Sequence, residues 1–171
     1  MHSRSWKRYE SSVSAMFGGK RALMKGTKEK ADIVNLDGRD MPWVIDAKLR
    51  TKLEIWTWMR DLVKYAEKTG RPAILVFREF SKRGSYAVVE KGWFMEQFDE
   101  FGHLWRWHIW SKDDRDTFPA AMAEAKKLAG DNKIPILMMK QRANGDVDYV
   151  CIRAANLKSM MICKGLINLE E

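Results

Sequence analysis

The chain has 171 residues, 46% of them hydrophobic, and a formal net charge of +8. That is enough apolar material to bury a core in one compact domain or two small ones. The longest apolar runs, such as Pro72–Phe77 and Ile134–Met139, fall far short of the roughly 20 residues a membrane-spanning helix requires. Met1–Arg4 leads into an amphipathic segment rather than a signal-peptide core, so a cytoplasmic protein without a membrane partner is expected. Cys151 and Cys163 lack C-x-x-C spacing and are expected to be two buried thiols, not a zinc site or a disulfide. The positive excess favours an anionic partner such as nucleic acid.

Trp6, Tyr9, Val13, Met16 and Phe17 recur at helical spacing, which predicts an amphipathic helix over 4–17 ending at Gly18-Gly19. Glu10 falls within that stripe, turned toward the core side. Lys20, Arg21, Lys25, Lys28 and Lys30 then read as a basic loop that could hold a phosphate backbone. Residues 31–36 and 42–48 read as strands joined through Asp37-Gly38, a dipeptide suited to a tight hairpin. Thr51 and Glu54 form a T-x-x-E capping box. Trp56, Met59, Leu62, Val63 and Ala66 make the apolar face of a second helix that stops near Gly70. Strands over 72–80 and 85–90 follow, with a turn at 81–84.

The second half partly repeats the first at a spacing of 63 residues, with Ala66 matching Ala129, Pro72 matching Pro135 and Tyr86 matching Tyr149. A helix over 118–129, a strand over 134–139, a turn at Asn144-Gly145 and a strand over 147–153 are expected. Upstream, 104–112 resembles the Val44–Lys48 strand, with Trp110 expected at the position of Asp46. Trp105, Trp107 and Ile109 alternate with Arg106, His108 and Trp110 there, so one face suits a core or a dimer seam. His108 is not expected to bind metal, because no second ligand sits at ligand spacing.

The chemistry concentrates in two apolar stretches, Ala31-Asp32-Ile33-Val34 and Val44-Ile45-Asp46-Ala47-Lys48. Charge inside a buried strand must be paired, hydrogen-bonded or metal-bound, because desolvation costs several kcal/mol. Residues two apart in a strand point the same way, so Asp46 and Lys48 share a face, and a hairpin partner could bring Asp32 to it. Two carboxylates beside an ammonium suit an oxygen-loving divalent ion such as Mg²⁺. Glu10 could complete the shell through water.

Glu10, then Asp32-Ile33, then Asp46-x-Lys48 resembles the E…D…(D/E)-x-K signature of the PD-(D/E)XK nucleases. Within that superfamily, Arg8-Tyr9-Glu10, Gly18-Gly19-Lys20-Arg21 and Asp46-Ala47-Lys48-Leu49-Arg50 are most similar to phage and archaeal Holliday junction resolvases, over about residues 4–94. The resemblance implies an α/β fold with a restriction-endonuclease-like core, a mixed central sheet flanked by helices, to which the C-terminal segment adds a partial repeat. It implies a nuclease core over 1–95, leaving 96–171 for structural, dimerisation or DNA-binding use. Asp32, Asp46, the Ala47 carbonyl and Glu10 would hold Mg²⁺, with Mn²⁺ able to substitute, and Lys48 would be the catalytic lysine. Lys20, Arg21, Lys25, Lys28, Lys30 and Arg50 would contact DNA. A homodimer cutting four-way junctions is the implied assembly, in the host cytoplasm if the chain is phage-encoded. Two features depart from the pattern: Asp46 stands where glutamate is usual, and no glutamine occurs between Leu49 and Arg78. A nuclease for other DNA structures, and a non-catalytic nucleic-acid-binding protein on the same scaffold, stay open as alternatives.

Overall fold

A computed structural model describes residues 2–21, 33–35 and 41–168. The first helix, α1 (His2–Met16), buries Tyr9, Val13 and the following Phe17. Gly18 ends it at φ 74°, a left-handed conformation that costs glycine little, and turns the chain straight into β1 (Gly19–Arg21). β1 pairs antiparallel with β2 (Ile33–Asn35) in a small separate sheet.

The main sheet has six strands: β3 (Val44–Arg50), β4 (Ala73–Glu79), β5 (Tyr86–Glu90), β6 (Trp105–Ser111), β7 (Ile134–Lys140) and β8 (Tyr149–Arg153). Their order is β3-β4-β5-β8-β7-β6. The outer pairs β3–β4 and β6–β7 are parallel and the three inner pairings antiparallel, so the sheet is mixed. α1, α3 (Lys91–Phe98) and α5 (Ala154–Cys163) share one core cluster with Ile45, Ala47, Leu49, Ile74 and Ile136. α2 (Ile55–Thr69) and α4 (Phe118–Ala129) share the other with Val44, Leu75, Phe77 and Leu137. Strand residues alternate between the clusters as the period of two demands, and the sheet is covered on both faces. An α/β architecture with a mixed sheet flanked by helices is therefore what the chain forms.

The order strand, helix, strand, strand, helix occurs twice, as β3-α2-β4-β5-α3 and β6-α4-β7-β8-α5. The central ladder is self-complementary. Tyr86 lies opposite Arg153, Val88 opposite Cys151 and Glu90 opposite Tyr149, a register symmetric about the Val88–Cys151 pair. The division at residue 95 falls inside α3, while the β5–β8 ladder runs through the middle of the sheet.

Four expectations are corrected. The strands around Asp32 and Asp46 are not a laddered hairpin among the described residues: β2 pairs with β1, and β3 with β4. The return of the chain at Gly18 supplies β2 with a nearer partner. Thr51 does not open α2. The helix starts three residues later with Glu54 at its N-cap, without a side-chain cap, because β3 continues to Arg50 and that carbonyl accepts from Phe80 N–H at 2.8 Å. Only Cys151 is a buried thiol; Cys163 lies exposed in the last turn of α5. Trp110 does not stand at the position of Asp46. Leu75 faces Val88 as Leu137 faces Cys151, and Asp46 lies beside Leu75 as His108 does beside Leu137. In register, His108 rather than Trp110 holds the place beside β7 that Asp46 holds beside β4, and Trp110 that of Lys48.

Candidate functional site

β3 is an edge strand of the main sheet, and its inward Ile45, Ala47 and Leu49 pack beneath α1. Asp46 and Lys48 take the alternate positions and project from the opposite face, the one carrying α2. Lys48 Nζ lies 3.4 Å from Asp46 Oδ2, with 25% and 15% of the two side chains exposed. A carboxylate and an ammonium are thus held together at a partly wetted sheet edge, where the ion pair offsets desolvation while oxygens remain reachable. Register places Lys48 beside Phe77 and Asp46 beside Leu75.

Glu10 is 4% exposed, on the buried flank of α1 with Ser14, so the inward orientation read from its spacing is found. Its helix packs on the other face of β3, with Ile45, Ala47 and Leu49. Neighbouring Tyr9 donates to Ser85 Oγ at 3.0 Å and stacks under the Arg78 guanidinium, 5.1 Å from its ring centre. Burial pushes the Tyr9 phenol up to about 12, against the opposing pull of the Ser85 hydrogen bond and the Arg78 charge. Arg78 Nε is buried without a hydrogen-bond partner among the described residues.

Asp32, Lys25, Lys28 and Lys30 lie outside the described residues, and Lys20 and Arg21 are described only as backbone of β1. Arg50 ends β3, and its Nη1 donates to the Leu49 carbonyl at 3.0 Å. Among the described residues no three His, Cys, Asp or Glu side chains converge as a metal site. The donor type nevertheless fits a hard divalent ion. Asp46 is a half-buried carboxylate with a wetted approach, and one or two such groups with water and phosphate oxygens suffice for Mg²⁺.

Two clefts open on the face that carries Asp46 and Lys48. One, of about 360 Å³, is lined by Phe77, Glu79, Lys82, Arg83, Tyr86 and Lys126 among others. The second, of about 490 Å³, includes Trp56, Trp110, Lys112 and Thr117. They share Leu53, Glu79, Phe118 and Pro119 and so adjoin. Sequence reading missed Lys82, Arg83 and Lys126, because the cleft brings α4 against the turn before β5, and Lys126 lies 40 residues from Tyr86 in the chain. The one local signal was the basic turn Lys82-Arg83-Gly84.

No protein-family model, curated protein or solved structure matches the chain.

Proposed function

We propose that the chain is a metal-dependent endodeoxyribonuclease of the PD-(D/E)XK type that hydrolyses phosphodiesters in branched DNA, a Holliday junction resolvase acting as a homodimer. The observation that carries this reading is the Asp46–Lys48 pair, a carboxylate and an ammonium 3.4 Å apart on one face of an edge strand. Asp46, with Asp32, would hold Mg²⁺ or Mn²⁺. When bound, the ion supplies polarisation of the phosphoryl group and a more acidic water. Lys48, held against Asp46, orients the attacking water or offsets charge developing on the phosphate. The +8 net charge makes approach to a polyanion favourable, with Lys20, Arg21, Lys25, Lys28, Lys30 and Arg50 as DNA contacts.

The doubled element order and the self-complementary β5–β8 ladder support an internal duplication, with 1–95 as the nuclease core and 96–171 as its degenerate copy. His108 and Trp110 replace the aspartate and lysine in that copy, leaving one catalytic centre per chain. Paired incision of a junction then calls for two chains.

A second reading, a non-catalytic nucleic-acid-binding protein on this scaffold, is favoured by one observation: Glu10 sits on a helix covering the face of β3 opposite to Asp46. Cleavage of a labelled four-way junction and of linear duplex in Mg²⁺ tests both. The resolvase reading expects junction cutting, its abolition by Asp46→Asn, and undiminished junction binding by that variant. Equal cutting of linear duplex would leave a nuclease of other specificity. No cleavage of any DNA in Mg²⁺ or Mn²⁺ would leave the binding protein.

A further inference from the structure

The two adjoining clefts are unused by the Asp46–Lys48 pair, yet they open on its face, one strand away. Phe77, which lines the first, is the register neighbour of Lys48. Their floor is a continuous aromatic cluster. Phe118 meets Phe77 and Tyr86 edge-on at 5.1 Å each, and reaches Trp110 at 6.0 Å, which in turn packs on Trp56 at 5.2 Å. Phe77, Phe118 and Trp110 are buried, whereas Tyr86 and Trp56 are only half-buried and line the two clefts, Tyr86 with Phe77 stacked against it at 5.9 Å.

The rim is basic. Lys82, Arg83 and Lys112 are exposed and form no ion pair among the described residues. Lys126 Nζ donates to Tyr86 Oη at 2.8 Å and is held over the opening of the first cleft. Glu79 and Glu54 are the carboxylates facing these four cations. An apolar aromatic floor beneath unpaired cations is the combination that seats unpaired nucleotides, bases against rings and phosphates against the rim. The volumes fall in the range of small-ligand sites, roughly 300–1,000 Å³. A duplex presents its bases edge-on and could use only the rim.

We infer that this groove binds a single-stranded segment of the nucleic acid, with a base against Tyr86 and phosphates on Lys82, Arg83 and Lys126. Naming the ligand as nucleic acid rests on the nuclease reading above. The groove adjoins Lys48 through Phe77, so it would take up nucleotides that unpair where the arms of a junction meet.

The test uses the full-length protein in EDTA, so that no strand is cut, and fluorescence anisotropy with labelled oligothymidylate and with a duplex of equal length. The parent is expected to bind the single strand more tightly than the duplex. The double variant Lys82→Glu, Arg83→Glu should weaken single-strand binding roughly tenfold or more and reduce the slope of log affinity against log salt by about 1.4, as two lost phosphate contacts require. Tyr86→Leu, which keeps an apolar side chain, should weaken it about tenfold through lost stacking. Far-ultraviolet circular dichroism and thermal melting establish that each variant is folded; Lys82 and Arg83 are exposed, so that pair is the decisive one. Single-strand affinity and salt slope equal to the parent's in the folded double variant would overturn the groove, as would a parent that fails to bind single strands. Parallel junction cleavage in Mg²⁺ separates the two readings. Cleavage with an unaffected double variant sinks the groove alone, whereas groove-dependent binding without any cleavage sinks the nuclease alone.

Discussion

Tyr9 shows how one residue ties the first helix to the sheet. Its ring lies in the core with Phe17 and Ile45, its hydroxyl donates to Ser85, and Arg78 caps its face. Burial favours the neutral phenol, so the folded-state pKa of about 12 lies above the ordinary value of 10.0. The corresponding stability is therefore fully present below about pH 10 and is lost as pH rises from there toward 12. Two pKa units amount to about 2.7 kcal/mol. Urea unfolding at about pH 9 and about pH 12 should show a fall in stability that is smaller in Tyr9→Phe by about 2 kcal/mol. An equal fall in the two proteins would place the alkaline sensitivity elsewhere. At this same scale, the pairing of Asp46 with Lys48 was legible in the sequence, because alternate strand residues share a face whatever the tertiary fold. The placement of the Glu10 helix relative to that pair was not. Helical spacing tells that Glu10 turns inward, but not which side of β3 the helix covers, and α1 covers the side away from Asp46.

Among the elements, those with chemical punctuation were readable. α4 begins after Thr117, whose hydroxyl accepts weakly from Ala120 N–H at 3.5 Å, has proline in its first turn, and stops at Gly130, as the spacing predicts. α2 ends where expected because Gly70 takes φ 68° while its N–H, with that of Arg71, closes the last turn. A Cβ at Gly70 would meet nothing within 4 Å, so substitution there tests backbone conformation alone. Gly70→Ala should destabilise the protein by about 1 kcal/mol and Gly70→Asn by less, read as shifts of the urea midpoint at unchanged slope. A loss of several kcal/mol from alanine would mean that the turn also carries packing. The elements that escaped prediction lack such marks. α3 and α5 start directly after β5 and β8 with no intervening turn and no side-chain cap. β1 is three residues long, and its partner lies a basic segment away. Pro135 misled in a different way. It matches Pro72 at constant spacing, yet Pro72 precedes β4 while Pro135 lies inside β7, just before the β8 ladder begins at Ile136 and so where no N–H is needed for it.

At the scale of the whole molecule, the two halves are interleaved rather than apposed. Phe118 from the second half packs on Phe77 and Tyr86 of the first, and Trp56 of the first packs on Trp110 and Tyr149 of the second. The seam between them is the β5–β8 ladder, with Val88, Val89, Val150 and Cys151 fully buried. A chain cut after residue 98 would keep β3, α2, β4, β5 and α3 but leave β5 as a bare apolar edge, a strong template for another strand. Because the native ladder is self-complementary, a second copy of the fragment can supply that strand in the same register, Val88 opposite Val88 and Tyr86 opposite Glu90. Fragment 1–98 should therefore lack cooperative structure as a monomer and gain it only on dimerising. Its circular dichroism and thermal midpoint would then rise with concentration, and light scattering would report twice the fragment mass. A Val88→Lys change should abolish that dimer by placing like charges directly opposite each other across the seam. A fragment that unfolds cooperatively as a monomer, at a midpoint independent of concentration, would instead make 1–98 a domain in its own right, and the symmetry of the ladder a feature its folding does not need.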